Sequence, residues 1–474
     1  MSYPVQLFPF RFHRLSPDRH VAVSESGDFV YLSQSELTRL IDAPTRLPPE
    51  RLAELKSKYF VGDPSSRAIS RLLASRMAQK KETVLSGPSL HAIVPTLHCE
   101  HTCTYCQVSR SLTDQGYALS PAQLDQISKT VFESPSQTLT IEFQGGDPLL
   151  RFDLVRYAIE KIAEHNCLAQ RNLRFIVSST LHQLTAEMCV FFKHYPVYLS
   201  TSIDGPAPLH NQQRQLRTQD GYERTVEGIG LARQTLGPDA VSALMTTTRD
   251  TLEQPEAVVD EYVKLGFTDI FIRPLSHYGF AKRNLKRVGY TPAEFLHFYQ
   301  KAFERVLYWN RQGVAIRECS AALAFNKMLS PYDAGYADMQ SPTGAGLVAL
   351  VYNYDGYVYP SDESRMLAET GDRSLRLGAI GEPLQRLLSG TVARQLVSAS
   401  LTRYVPGCRE CAFSTYCGSD LVEMQGEFGT VNVPVFWTNH CQRQMGLYDF
   451  LFRQLDGGDR WLMDLAYSWA HPAE

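Results

Sequence analysis

Six short runs rich in β-branched and apolar residues recur between residues 91 and 273, and helical stretches separate them. The runs cover residues 91–95, 139–143, 174–178, 198–202, 242–246 and 269–273. Strands that alternate with helices predict βα units and a parallel sheet. Six units fall short of the eight of a closed TIM barrel, so the spacing predicts an α/β fold built on a partial (β/α)6 barrel.

Smaller units are predicted on both sides of the barrel, since 474 residues amount to about three typical domains. Residues 20–32 predict a hairpin around a Ser-Gly-Asp turn, and Ser33 and Glu36 stand at the spacing of a capping box that starts a helix. Further helices are expected up to residue 81. The predicted boundaries are 1–85 for this α+β unit, 86–335 for the barrel and 336–474 for a cysteine-bearing unit.

Composition and charge exclude several classes of protein. Hydrophobic residues at 44% and charged residues at 20% predict a folded chain. Lys and Arg number 47 against 50 Asp and Glu, a balance that gives no electrostatic reason to expect nucleic acid or an anionic membrane as a partner. The chain shows neither an export signal nor 18 consecutive apolar residues, so we expect a cytoplasmic protein.

The ten cysteines of such a chain favour metal binding or catalysis over disulfides. Seven are clustered, at Cys99, Cys103, Cys106, Cys408, Cys411, Cys417 and Cys441. The three single cysteines, Cys167, Cys189 and Cys319, are expected to be buried small hydrophobic residues without a role.

The first group, Cys99, Cys103 and Cys106, directly follows the first predicted strand, at the end of the barrel that carries chemistry. Three thiolates on a short loop can hold three irons of a four-iron cluster and leave the fourth open to a ligand. The alternatives are a zinc site completed by His98 or His101, or three unrelated thiols.

After the second predicted strand comes Gln144-Gly-Gly-Asp-Pro148. Paired glycines let the backbone approach a ligand closely, although such a run also occurs as a plain strand-to-helix turn.

Together, Cys-x3-Cys-x2-Cys with Tyr105 before its last cysteine and the later Gly-Gly-Asp-Pro resemble the radical S-adenosylmethionine (SAM) superfamily. The resemblance implies that Cys99, Cys103 and Cys106 are catalytic and hold a [4Fe–4S] cluster with one open iron. That iron chelates SAM, whose reductive cleavage yields a 5′-deoxyadenosyl radical that abstracts hydrogen from the substrate. The methionine amino end is expected at the segment formed by Gly145, Gly146, Asp147 and Pro148, with Tyr105 nearby. The usual acidic residue is Glu, and Asp147 replaces it here.

Two further segments are similar to peptide-modifying radical enzymes. Ser202-Ile-Asp-Gly-Pro206 with His210 and Arg214 looks like their fourth-strand segment, and residues 273–279 look like the end of their sixth strand. The resemblance makes Ser178, Ser202 and Asp204 candidates for ribose or methionine contacts and Arg214 a candidate carboxylate partner. Ordinary strand-end turn chemistry is the alternative.

The second group supplies four thiolates, enough to close a site completely. Its Cys408-x2-Cys411-x5-Cys417 run with Cys441 resembles the SPASM extension of radical maturases, which holds two auxiliary clusters. Cysteines of that pattern are missing near Thr343, at Ser361 and at Leu421. All three would ligate the first auxiliary cluster, so the resemblance implies one auxiliary [4Fe–4S] cluster. A zinc ribbon at the same four cysteines remains the alternative.

The N-terminal hairpin and helices are similar to the winged recognition element of peptide maturases, in which a leader segment adds to a strand edge. A structural cap on the barrel is the alternative. The Phe8-Pro-Phe-Arg-Phe12 run within residues 4–14, the cysteine loop and the reduced SPASM pattern look most like the B-type radical SAM maturase of the His-Xaa-Ser system.

This resemblance implies an enzyme that modifies a ribosomally made precursor peptide bearing His-x-Ser repeats. It also implies a second radical SAM maturase as a partner and an electron donor such as flavodoxin or ferredoxin. The competing hypotheses are a radical enzyme acting on a small metabolite and a non-catalytic, zinc-bearing peptide scaffold.

Overall fold

The computed structural model describes residues 5–63 and 65–471. The outermost residues of the predicted terminal units, 1–4 and 472–474, and position 64 lie outside this range. The strands, in chain order, are β1 Gln6–Leu7, β2 Phe10–Ser16, β3 Arg19–Ser24, β4 Phe29–Ser33, β5 Val61–Gly62, β6 Leu90–Thr96, β7 Thr102–Cys103, β8 Thr138–Gly145, β9 Asn172–Ser178, β10 Val197–Ser202, β11 Arg214–Gln215, β12 Val241–Thr246, β13 Asp269–Arg273, β14 Arg317–Glu318, β15 Ala349–Tyr352, β16 Tyr357–Tyr359 and β17 Gly378–Ala379.

Helices fill the intervals between these strands. They are α1 Gln34–Asp42, α2 Pro49–Ser57, α3 Arg67–Gln79, α4 Glu82–Leu85, α5 Pro121–Phe132, α6 Phe152–Ala169, α7 Ala186–Lys193, α8 Ala207–Gln213, α9 Gly221–Leu236, α10 Pro255–Lys264, α11 Gly279–Arg283, α12 Leu285–Val288, α13 Pro292–Arg311, α14 Cys319–Leu329, α15 Asp362–Glu369, α16 Leu384–Ser389, α17 Thr391–Ala399, α18 Leu421–Phe428, α19 Asn439–Asp456 and α20 Arg460–Ala470.

All six predicted barrel strands form, and they lie side by side in parallel. The order is β13-β12-β10-β9-β8-β6, with registers such as Ile93 opposite Phe143. Helix-facing residues of these strands, such as Ile141, Val177 and Ile270, are fully buried beneath the surrounding helices. This packing directs the carboxyl ends of the strands, and the loops that follow them, to one edge.

The sheet continues past the barrel at its first strand. β15 pairs in parallel with β6, and β16 and β17 follow as antiparallel neighbours, which makes one ten-stranded sheet. The predicted hairpin forms at Asp355 and Gly356, where Gly356 adopts φ 83°. The sheet thus extends across the predicted boundary at residue 336, because β15 pairs with β6, which lies more than 250 residues earlier in the chain.

The N-terminal unit contains the predicted hairpin as β3 and β4, together with an additional strand, β2, that completes a three-stranded antiparallel sheet. Ser33 and Glu36 form the predicted capping box at the start of α1. One face of the sheet packs on α1 and α2. The other packs on the C-terminal part of the chain, where Phe29 contacts Phe452 edge-to-face with ring centroids 5.0 Å apart.

The expectation that the three single cysteines are buried is right for Cys189 and wrong for Cys167, which is exposed. Cys167 lies on the outward face of α6, near its C-terminal end, and its thiol donates to the Ala163 carbonyl one turn earlier at 3.5 Å. Cys319 is half-buried at the start of α14.

In the described part of the chain, every helix is too short or too polar to cross a bilayer.

Candidate active site

A cavity of about 220 Å³ lies at the carboxyl ends of the barrel strands, and we call it the triad cavity. Cys99, Cys103 and Cys106 line it together, on the loop that follows β6. The other predicted residues on its wall are Tyr105, Gly145, Gly146, Ser178, Ser202 and Arg214. The structure therefore brings three thiols and most of the predicted cofactor residues to one enclosed space.

Backbone hydrogen bonds hold the cysteine loop from several sides. The Cys99 N–H donates to Ser111 O at 3.0 Å, and the Phe280 N–H donates to Cys106 O at 2.8 Å. β7 and β11 pair Cys103 with Arg214. Because burial and neighbouring negative groups disfavour thiolates, the pKa of Cys103 is raised to about 11 and that of Cys99 is raised further. Thiols in this setting require a bound cation before they can act as thiolates.

Gly145 and Gly146 seat the end of β8 against this loop. A Cβ at Gly146 would lie 2.3 Å from both the Leu97 and His98 carbonyl oxygens, and one at Gly145, where φ is +136°, would lie 2.2 Å from Thr96 O. Only glycine permits this approach. The pair therefore sets the position of the cysteine loop as well as exposing backbone to the cavity.

The Asp147 carboxylate lies away from the triad cavity. It is 2% exposed and accepts hydrogen bonds from Ser179 Oγ at 2.6 Å and from the Thr180 and Leu149 N–H groups at 3.1 Å. Only the backbone of residue 147 is therefore free to make the predicted contact with the methionine amino end. Pro148, which is also buried, follows it in a short 3₁₀ turn.

Tyr105, Asp204 and Arg214 form one buried chain of hydrogen bonds. The Tyr105 hydroxyl donates to Asp204 Oδ2 at 2.6 Å, and Arg214 Nη1 donates to the Tyr105 oxygen at 2.7 Å. Asp204 is fully buried and does not reach the cavity wall, so it holds Tyr105 and, through it, Arg214. Asp204 therefore does not make the predicted contact with a cofactor. It positions Tyr105 and Arg214 instead.

The cavity wall also contains charged residues that the sequence reasoning missed. Glu142 accepts from Ser178 Oγ at 2.8 Å, and burial raises the pKa of the Glu142 carboxyl. From the start of α15, Asp362 and Arg365 reach the same cavity, paired by an Arg365 Nε donation to Asp362 Oδ1 at 2.6 Å. Glu142 stands on a predicted strand and could have been found by its position, whereas α15 reaches the site only through the tertiary fold.

The two histidines proposed for a zinc site are poorly placed for one. His101 Nδ1 lies 3.1 Å from Arg214 O, and His101 Nε2 lies 3.2 Å from Nδ1 of His182. Burial lowers the pKa of His101 to about 3, so its imidazole is neutral. The two contacts engage both of its ring nitrogens. His98 does not line the triad cavity.

The C-terminal cysteines also come together. The pKa of the Cys417 thiol is raised by burial and by the thiolates of Cys411, Cys408 and Cys441, and that of Cys441 is raised to about 11 by burial and by Cys411. Half-buried Lys327 lies near Cys417, and its Nζ donates to Met339 O. Among residues 5–63 and 65–471, no three His, Cys, Asp or Glu side chains converge tightly enough for a single metal ion.

The positions where the SPASM pattern lacks cysteines have acquired local backbone roles. Ser361 is the N-cap of α15, where its hydroxyl accepts from Ser364 N at 3.3 Å. Thr343 Oγ1 accepts from Ala345 N at 3.2 Å, and Leu421 is buried in the first turn of α18. None of the three side chains offers a thiolate to a cluster.

The two edges of the N-terminal sheet differ. At the β4 edge, Lys58 Nζ donates to Phe29 O at 3.0 Å and Arg51 donates to Tyr31 O, so α2 occupies the outward carbonyls. At the β2 edge, Phe10 and Phe12 stand opposite Ser24 and Ala22 of β3, and their own backbone N–H and C=O groups point away from β3. In the described part of the chain, no hydrogen bond reaches their outward backbone groups.

Residues 93–267 match the Radical SAM superfamily. An uncharacterized protein from Methanothermobacter thermautotrophicus is 26% identical over 176 residues, which cover 37% of this chain and 63% of that relative. An uncharacterized Synechocystis protein is 30% identical over 181 residues, 36% of this chain and 44% of its own length. The chain thus spans less than two thirds of both relatives. A cysteine-type anaerobic sulfatase-maturating enzyme from Clostridium novyi is 21% identical over 329 residues, 68% of this chain and 84% of that enzyme.

Two solved structures share the fold. Native anSMEcpe with bound AdoMet superposes with a TM-score of 0.66 at 16% identity, covering 80% of this chain and 99% of that one. Streptococcus suis SuiB bound to its precursor peptide SuiA gives a TM-score of 0.54 at 13% identity, covering 91% and 99%. The predicted fold class is confirmed, and residues 93–267 match a radical SAM domain. Such domains use a [4Fe–4S] cluster and SAM, which confirms the cofactors predicted for the barrel.

Proposed function

We propose that this protein is a radical SAM maturase that reductively cleaves SAM and abstracts hydrogen from a ribosomally made precursor peptide, most like the B-type enzyme of the His-Xaa-Ser system. The observation that carries the proposal is the meeting of Cys99, Cys103 and Cys106 with Gly145–Gly146 and Arg214 on one cavity. Bound there, the cluster and SAM would supply a 5′-deoxyadenosyl radical.

The residues of the cavity divide into ligand contacts and supports. The Gly145–Gly146 backbone would face the amino end of the methionine moiety, and the Arg214 guanidinium would pair with its carboxylate. Ser178 and Ser202 offer hydroxyls for the ribose. Tyr105 and Asp204 fix Arg214, whereas Asp147 and Pro148 hold the end of β8 beside the cysteine loop.

At the C-terminal group, Cys408, Cys411, Cys417 and Cys441 would hold one auxiliary [4Fe–4S] cluster that accepts or delivers an electron. Four thiolates leave no open iron, and the ammonium of Lys327, near Cys417, would offset part of their charge. Zinc in the same four thiolates is the alternative, and metal analysis separates the two.

The N-terminal sheet supports a peptide substrate. SuiB, which shares the fold, has been solved with its precursor peptide. Among the described residues no hydrogen bond reaches the outward groups of Phe10 and Phe12, whereas Lys58 and Arg51 block the β4 edge, so a leader strand would add to β2. A second maturase and a flavodoxin or ferredoxin donor remain predicted partners, and nucleic acid and membranes are not expected.

The test is anaerobic reconstitution with iron and sulfide, followed by an assay of 5′-deoxyadenosine from SAM under reductant. Parent protein should form it, Cys106→Ala should lose at least about a hundredfold, and Cys167→Ala should match the parent because Cys167 lies on the surface of α6. Iron-loaded parent protein that forms no product would contradict the proposal and favour the peptide scaffold.

The substrate class needs a second assay. A precursor with tandem His-x-Ser repeats, incubated with active enzyme, should change mass only when SAM and reductant are present. If SAM is cleaved but no precursor is bound or altered, the small-metabolite hypothesis gains support.

A further inference from the structure

A second cavity, of about 410 Å³, lies beside β13 and between the barrel and α15, α18 and α19. We call it the inner cavity. Thr343, Ser361 and Leu421, the three positions at which the SPASM pattern lacks cysteines, all line it. Where that pattern places cluster ligands, this chain therefore has open space.

The inner cavity adjoins the triad cavity. Arg273, Pro274 and Ser276, at the carboxyl end of β13, line both spaces. Helix α15 also faces both, since Asp362 reaches the triad cavity and Glu363 reaches the inner one. A group held in the inner cavity would thus lie next to the site of radical formation.

Several carboxylates on the wall of the inner cavity already have partners. Glu423 accepts from Arg443 Nη2 at 3.0 Å, and Asp420 accepts from the Glu423 N–H at 2.8 Å as the N-cap of α18. The rim carries Glu427 and Lys282, both exposed. Glu423 and Asp420 are thus each held by a neighbouring group on this wall.

Glu363 is the exception. In the described part of the chain its carboxylate makes no hydrogen bond, and its only ion partner is Arg273, at 4.0 Å. Burial, together with repulsion from Asp338, Asp362 and Asp420, raises the pKa of Glu363 to about 8. A cation brought to this carboxylate would favour its charged form and offset these costs.

Two further features suit a bound side chain. Ser419 lines the inner cavity and is 7% exposed, and among the described residues its hydroxyl meets only the Cys408 thiol. Leu275, Phe295 and Leu396 form an apolar wall. A cavity with an apolar wall and a carboxylate that accepts no hydrogen bond from the described residues matches a long side chain that ends in a positive charge.

We propose that the inner cavity binds a basic side chain of the precursor peptide, with its imidazolium, ammonium or guanidinium head on Glu363. The inference rests on the proposed function, because it takes the substrate to be a peptide. It adds a specificity pocket, made where an auxiliary cluster has been lost.

Small probes test the pocket without radical chemistry. Reconstituted holoprotein with bound SAM is dialysed to equilibrium against N-acetyl-lysine N-methylamide, N-acetyl-histidine N-methylamide or N-acetyl-norleucine N-methylamide. The two basic probes should bind at least about tenfold more tightly than the norleucine probe, which has a similar apolar stem and no charge. Equal binding of all three would overturn the proposal.

Glu363→Gln keeps the shape of the side chain and removes its charge. This variant should bind the lysine probe about tenfold more weakly, whereas Glu369→Gln, on the same helix and outside the cavity wall, should bind it like the parent. Unchanged binding in a folded, iron-loaded Glu363→Gln protein would refute the assignment. Selective binding by a protein that never forms 5′-deoxyadenosine would support the pocket and contradict the proposed function. Formation of 5′-deoxyadenosine without selective binding would support the proposed function and contradict the pocket.

Discussion

The two cysteine groups of this protein lie in contrasting surroundings. Cys99, Cys103 and Cys106 line a cavity of about 220 Å³ together with Glu142, Arg214 and several hydroxyls. In the C-terminal group, Cys411 and Cys417 pack against the main apolar core and Cys408 against a second one. Three thiols beside a polar cavity leave room for an exchangeable ligand, whereas four thiols set into packed residues suit a site that is closed once filled.

The inner cavity also bears on this contrast. The SPASM pattern would place a further cluster there, between the two cysteine groups, and in this protein the wall carries Glu363 and Ser419. Thr343, Ser361 and Leu421 thus line open space next to the triad cavity, at positions where the SPASM pattern has cysteines.

The largest expected effect separates the two groups by metal content. Cys106→Ala and Cys408→Ala should each lose about four of about eight irons, because on the proposed function each group would hold one four-iron cluster. Cleavage of SAM should vanish in the first variant and stay within about threefold of the parent in the second. Iron and acid-labile sulfide analysis checks the first point, and the 5′-deoxyadenosine assay the second.

Two other results would change the interpretation of the two cysteine groups. Loss of all iron in Cys408→Ala would mean that the two sites fold as one unit. One zinc per chain in the parent, with only about four irons, would make the C-terminal group a zinc ribbon.

A matched pair of glycine variants tests how tightly the barrel site is built. Gly146→Ala places a Cβ 2.3 Å from two carbonyl oxygens of the cysteine loop and should lower the free energy of unfolding by at least about 3 kcal/mol. Gly230→Ala, in α9, meets nothing within 4 Å and should raise it by about 0.5–1 kcal/mol. Denaturant unfolding of the apoproteins measures both. A small loss for Gly146→Ala would show that the loop can move away.

The pH dependence of the free energy of unfolding tests whether Glu363, on the wall of the inner cavity, ionises abnormally. Glu363 faces Asp338, Asp362 and Asp420 as well as Arg273, and its pKa of about 8 in the folded protein lies above its value near 4.5 in an unfolded chain. The folded state therefore holds a proton that the unfolded state has lost, and stability from this group falls as pH rises from about 5 to 8.

The Glu363→Gln variant should remove that dependence. At pH 8 it should exceed the parent in free energy of unfolding by about 1–3 kcal/mol, while at pH 5 the two proteins should differ little. Parallel stability curves across this range would show that Glu363 ionises normally.

The smallest effect concerns the N-terminal sheet that covers the C-terminal group. Phe12→Pro removes an outward N–H at the β2 edge, a position where proline is tolerated, and should weaken leader binding by about tenfold. Lys58→Ala acts at the opposite edge and should leave leader binding unchanged. Fluorescence anisotropy of a labelled leader peptide measures both. Equal binding by Phe12→Pro and the parent would favour a structural cap.

The local features of this protein could be predicted from the sequence. All six barrel strands, the capping box at Ser33 and the hairpin at Gly356 were placed correctly, because side-chain periodicity and turn chemistry act over a few residues. The cysteine triad spans only eight positions after one strand, so its convergence on a single site also follows from the local chain.

Only the tertiary structure decided the rest. It turned Asp147 and Asp204 away from the triad cavity, exposed Cys167, joined β15 to β6 and opened the inner cavity at Thr343, Ser361 and Leu421. Each of these depends on groups that meet across tens or hundreds of residues. Their geometry is set by how whole elements pack, and no short stretch of sequence encodes it.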